Sequence, residues 1–110
     1  MSKAEFWQKG ETLDFKNAGA PIAANDVVVL GKRIGVAGTD IAKNAVGTLH
    51  VEGVFRLDKN VGDTINAGDL VYWATEPGHI TTTPSANTLA GYAVEAAASE
   101  ATKVLVKINA

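Results

Sequence analysis

Cysteine is absent from this 110-residue chain, methionine occurs once and proline three times. Without a thiol there is no disulfide framework, no thiolate metal site and no cysteine nucleophile. The longest apolar runs, such as Val27-Val28-Val29-Leu30, fall far short of the ~20 residues a membrane-spanning helix needs. Positive charge is not in excess: ten Lys and Arg face twelve Asp and Glu, for a net charge of −2. That balance lacks the basic face on which DNA or RNA binding depends, so neither nucleic acid nor membrane is an expected partner. The opening stretch MSKAEFWQKGETLDF has no apolar segment of the signal-peptide kind, and the expected place of synthesis is a cytosol-like compartment.

Catalytic constellations are equally scarce. Asp26-Val-Val-Val-Leu-Gly31-Lys32-Arg33 has the outline of a phosphate-binding loop. It carries Asp where the first glycine must stand and Arg where Ser or Thr must hold magnesium, so Lys32 and Arg33 read as turn residues. His50 and His79 stand apart with no neighbouring ligand type. Asp63 and Asp69 flank Asn66 without the ligand order or closing Glu of a calcium loop, which makes them solvated turn residues. No Ser sits in a nucleophile elbow, Thr81–Thr83 reads as an exposed strand, and the glutamates form no close pair. Catalytic, cofactor and metal residues are therefore expected to be absent, and the chain is read as a non-enzyme.

What the sequence does have is glycine, 11 times, between short β-branched runs. This is an all-β pattern. Strands are expected at about 12–16, 26–30, 33–37, 48–57, 70–74, 79–83, 90–96 and 102–108. In the fourth, Leu49, Val51, Gly53 and Phe55 alternate with His50, Glu52 and Arg56; in the last, Val104, Val106 and Ile108 oppose Lys103 and Lys107. Such alternation gives one buried and one wet face. Ala93–Ala101 has high helix propensity, yet its brackets, Gly91 and a β-branched run, favour strand-turn-strand with at most one helical turn.

The chain also repeats itself. Asn17, Gly19, Ile22, Ala24 and Asp26 recur in unbroken register as Asn60, Gly62, Ile65, Ala67 and Asp69, and each copy runs into an apolar strand. Asn and Gly supply left-handed turn geometry, Ile points inward, and Asp folds back onto backbone N–H groups. The expected fold is a small β-barrel or sandwich with internal pseudo-twofold duplication: an N-terminal arm over 1–11, then a single β domain over 12–110 with related halves at about 17–57 and 60–108.

Residues 62–71, GlyAspThrIleAsnAlaGlyAspLeuVal, resemble the hairpin phrase of biotinyl and lipoyl carrier domains. The modifiable lysine of those domains sits on a separate hairpin, whereas Lys59 adjoins the phrase directly.

From Trp7 to Ile108 the chain resembles a family of small proteins from the structural-gene modules of tailed phages, associated with capsid decoration or cement roles. The resemblance rests on GlyGluThrLeuAspPheLysAsnAlaGly (10–19), AsnAspValValValLeuGlyLysArgIleGlyVal (25–36), ValGluGlyValPheArgLeu (51–57), AlaGlyAspLeuValTyrTrp (67–73), AsnThrLeuAlaGlyTyrAla (87–93) and ThrLysValLeuValLys (102–107). Members sometimes carry a recombinase-like description, which the missing phosphate loop argues against. The resemblance implies a virion structural protein, made in the host cytoplasm and placed on the capsid exterior. Its partners would be the major capsid protein and itself, as a homotrimer suited to threefold lattice positions. The alternative is a spike, fibre or baseplate accessory domain that binds a host glycan. Large aromatics are few, and the expected interface residues are Phe6 and Trp7 in the arm and Trp73, which adjoins Tyr72 on a strand.

Overall fold

The computed structural model describes residues 3–110, and within them the chain forms nine strands and no helix. They are β1 (Thr12–Lys16), β2 (Val27–Leu30), β3 (Arg33–Ala37), β4 (Val46–His50), β5 (Val54–Asp58), β6 (Leu70–Ala74), β7 (His79–Thr81), β8 (Thr88–Ala93) and β9 (Lys103–Ile108). The Ala93–Ala101 stretch leaves β8, forms a bridge at Ala97 and turns into β9 without a helical turn.

The strands form two antiparallel sheets, ordered β1-β4-β3-β2 and β5-β9-β8-β6-β7. In each, three strands lie side by side (β2-β3-β4 and β6-β8-β9) while the first strand of the half pairs with the last. This is a Greek-key arrangement. The long connection it requires is the repeated phrase, 17–26 in one half and 60–69 in the other. Registers agree as well: Leu13 opposes Leu49 as Arg56 opposes Leu105, and Val27 opposes Val36 as Leu70 opposes Tyr92. The second half differs by its insert. Where β2 and β3 join through Gly31-Lys32, β6 and β8 are separated by a long connection that contains β7.

Of the two architectures expected, the sandwich is the one formed. The sheets meet through β3 and β8, and no ladder runs continuously around both. The larger sheet curls strongly: its edges β5 and β7 approach at a parallel bridge between Lys59 and Ile80, where Asn60 N–H donates to the Ile80 carbonyl at 2.8 Å. The smaller sheet keeps both edges, β1 and β2, open.

The core lies between the sheets. Ile34 and Val36 of β3 pack with Leu57, Ile65, Val71, Ile80, Ala90, Val104, Val106 and Ile108. In β9 the alternation is clean, with Val104, Val106 and Ile108 buried and Lys103 and Lys107 exposed. Beyond β3, Leu49 fills the place a side chain on Gly35 would take: a Cβ there would stand 2.5 Å from Leu49 Cγ.

The strand expected over 48–57 is corrected. β4 stops at His50 and β5 begins at Val54, in the other sheet. Gly53, at φ 124°, breaks the alternation between them. The His50 and Phe55 rings, which one continuous strand would place on opposite faces, therefore stand 6.0 Å apart.

Candidate functional site

The repeated phrase builds the same turn twice. The Asp26 carboxylate accepts from Ala23 N–H at 3.0 Å, and Asp69 accepts from Asn66 N–H at 2.9 Å. Ala37 N–H then donates to the Asp26 carbonyl, and Ala93 N–H to the Asp69 carbonyl, each at 2.9 Å. These carboxylates serve the backbone. Ile65 is fully buried as expected, whereas Ile22 is half-buried.

Asp63 departs from the solvated turn residue expected. Its Oδ2 accepts from Thr81 Oγ1 at 2.6 Å, Asn60 Nδ2 at 3.1 Å and Thr82 N–H at 3.3 Å. Foremost the Thr81 hydroxyl, then Asn60, Thr82 N–H and the Lys59 charge, hold its carboxyl below the ordinary carboxylate range against partial desolvation. The group ties the second crossover to β7. Three donors committed to one carboxylate oxygen describe a structural brace.

Lys59 is buried, with its ammonium donating to the carbonyls of Asn60 at 2.9 Å and of Ser99 and Ala101 at 3.3 Å. An attachment lysine on a carrier domain must stand free in solvent; this one closes the end of the second half. His50 and His79 lie on β4 and β7, and among the described residues no group of three His, Asp or Glu converges on one point. Lys32 lies in the β2–β3 turn as expected, whereas Arg33 is the first residue of β3, paired with Leu30.

The surface features are apolar. Phe6 is 85% and Trp7 83% exposed, in a stretch from Lys3 to Gly10 without strand or helix. Residues 1 and 2 of the expected arm lie outside the described residues. The arm is anchored at its base, where Val51 N–H donates to the Glu11 carbonyl at 3.0 Å. Trp73 is half-buried: it packs against the core and lines a surface cleft with Asp26, Val27, Arg56, Asp58 and Lys103. Tyr72 lines a separate depression beside Lys32, Arg33 and Leu89. The structure thus keeps Trp73 apart from Phe6 and Trp7 in its contacts.

Sequence reasoning missed a further element. Leu70, Tyr92, Lys107 and Val54 are successive register partners across β6, β8, β9 and β5, so they share the sheet's outer face. Leu70 and Val54 are each 54% exposed. The signal lay in Leu70 and Val54 occupying positions where a one-sided strand places polar residues.

A phage cement protein family model matches residues 7–108. No curated protein and no solved structure matches the chain. The matched span runs from the exposed Trp7 through the last residue of β9, both sheets included. The chain belongs to the phage cement protein family.

Proposed function

We propose that the protein is a capsid decoration protein that docks on the outer surface of a tailed-phage head, binds the major capsid protein as a homotrimer and stabilises the shell without catalysing a reaction. Membership of the cement family carries this reading. Two surface features support it. Phe6 and Trp7 leave a large aromatic area free for a neighbour, and Trp is a frequent interface anchor. The outer rung of Leu70, Tyr92, Lys107 and Val54 offers exposed apolar side chains beside one lysine. Each contact can be modest, because a multimer that engages several capsid subunits gains by effective concentration.

The test mixes purified protein with mature, undecorated heads of the matching phage. Co-sedimentation at saturating stoichiometry, with heads that survive higher temperature, is the expected result. Heads that neither bind the intact protein nor gain heat resistance exclude the reading. The Trp73 cleft favours a second reading, glycan binding by a spike, fibre or baseplate accessory domain, since an aromatic beside Asp26 and Arg56 is a sugar-stacking arrangement. Binding to host-surface glycan that Trp73→Ala removes, with head binding absent, selects that alternative.

A further inference from the structure

The two halves place different residues at one position. Ile41 N–H donates to the Ile22 carbonyl at 2.8 Å and its carbonyl accepts from Ile22 N–H at 2.9 Å; Ala97 exchanges the same pair with Ile65 at 2.8 and 2.9 Å. In the first half the Ile41 side chain lies across Gly47, so near that a Cβ there would stand 2.4 Å from its Cγ1. Ile41 is 1% exposed and fills the space over Gly47, while on the side of Pro21 and Ile22 it borders a separate shallow depression.

In the second half the side chain at this position stops at Cβ. The place of Gly47 is taken by Lys103, whose ammonium leaves to pair with Asp58. What remains is a recess of about 240 Å³ walled by Ala97, Ala98, Ala101 and Leu105 and rimmed by Arg56 and Glu95. The recess is open to solvent on one side, so an apolar side chain from outside can be laid against its alanines.

The chain carries matching side chains elsewhere. Trp7, at 83% exposure, does not enter the recess of its own chain. Glu5 precedes it by two residues and Lys9 follows by two, a charge of each sign on either side. The recess offers the complement, Arg56 and Glu95. Among the described residues neither takes part in an ion pair.

We infer that this recess seats Trp7 of a second copy of the chain, with Glu5 beside Arg56 and Lys9 beside Glu95. The arm supplies in trans the apolar group that Ile41 supplies in cis in the first half. Arm-to-recess contact joins two different surfaces, and repeated head to tail about a threefold axis it closes as the trimeric ring proposed above. The inference deepens the homotrimer part of the reading above, and its test needs no capsid.

The absence of cysteine makes the test direct. Chains carrying Phe6→Cys and chains carrying Ala98→Cys, both at exposed positions, are mixed and treated with a short bismaleimide. The expected product joins one chain of each kind, and adding Trp7→Ala to the arm chain removes it. Light scattering on the otherwise unaltered protein supplies the second measurement. Trp7→Ala or Ala98→Arg should each weaken self-association about tenfold, the ordinary loss for a truncated aromatic anchor. Lys9→Glu should weaken it too, and Glu95→Lys should restore it. Crosslinking only when both thiols sit on one chain overturns the inference, as does self-association untouched by Trp7→Ala and Ala98→Arg. Head binding that persists in either of those cases leaves the decoration reading standing while this one falls.

Discussion

The side-chain amide of Asn109 spans both backbone polar groups of Ile34. Its Oδ1 accepts from Ile34 N–H at 3.2 Å, and its Nδ2 donates to the Ile34 carbonyl at 2.7 Å and to the Val51 carbonyl at 2.9 Å. Ile34 is fully buried in the smaller sheet, while Asn109 follows directly on β9 of the larger one. One side chain therefore continues the ladder of β3 where no strand is present. The left-handed backbone of Asn109, φ 58°, aims it there, and its own N–H donates to the Ala90 carbonyl at 2.7 Å.

Replacing Asn109 with Ala leaves the Ile34 N–H and carbonyl without partners in a buried setting. Unsatisfied buried groups incur their full desolvation penalty, so the expected destabilisation is about 2–3 kcal/mol in urea unfolding. The substitution Asn109→Asp should preserve little of the stability, because a carboxylate accepts from Ile34 N–H but cannot donate to either carbonyl. A change under about 0.5 kcal/mol for Asn109→Ala removes this account of how the sheets are joined.

Asp63 predicts an acid limb in stability. Its hydrogen bond from Thr81, with Asn60, Thr82 and Lys59 adding to it, makes the carboxyl more acidic folded than unfolded. The corresponding stability is complete above the unfolded value of about 3.9 and disappears as pH falls through the lower folded value. Asp63→Asn should therefore be less stable than the parent at neutral pH, and the two curves should converge below about pH 4. Parallel curves across that range contradict the assignment.

Ile41→Ala should destabilise by about 2–4 kcal/mol, the range for removing a fully buried aliphatic side chain. The matching alanine, Ala97, already sits beside an open recess. Combining Ile41→Ala with Gly47→Ala should recover part of the loss, because the second methyl enters the vacated space. Denaturation of the two variants measures this.

Gly91→Ala should abolish folding. At φ 148° an added Cβ would stand 2.0 Å from the Lys107 carbonyl oxygen, which belongs to the paired strand and cannot retreat. Gly62→Ala is the control: φ is 107° but no atom lies within 4 Å of the added Cβ, leaving backbone strain of about 1–2 kcal/mol. Dispersion of the amide spectrum separates the two outcomes.

Much of this fold was legible because its cues are local. β1, β3 and β6 fall where β-branched runs and glycines place them, and the paired Asp26 and Asp69 turns follow from side chains that reach their own backbone. The missed features depend on tertiary placement. His50 and Phe55 belong to one alternating run in sequence, yet Gly53 sends them to separate sheets. Asp63 looked like its exposed neighbours because Thr81 reaches it only across the second half. The recess at Ala97 is invisible without coordinates, since alanine reads as filler until its counterpart, Ile41, is known.

The join between β2 and β3 at Gly31-Lys32 corresponds to the place where the second half accommodates β7 and its flanking loops. The order β5-β9-β8-β6 thus matches β1-β4-β3-β2 although the connection at this point is long in the second half and two residues in the first. A foreign peptide spliced between Gly31 and Lys32 would extend from an exposed hairpin tip, outside the ladders that hold the sheets. That makes the first half a ready socket for displayed epitopes or tags.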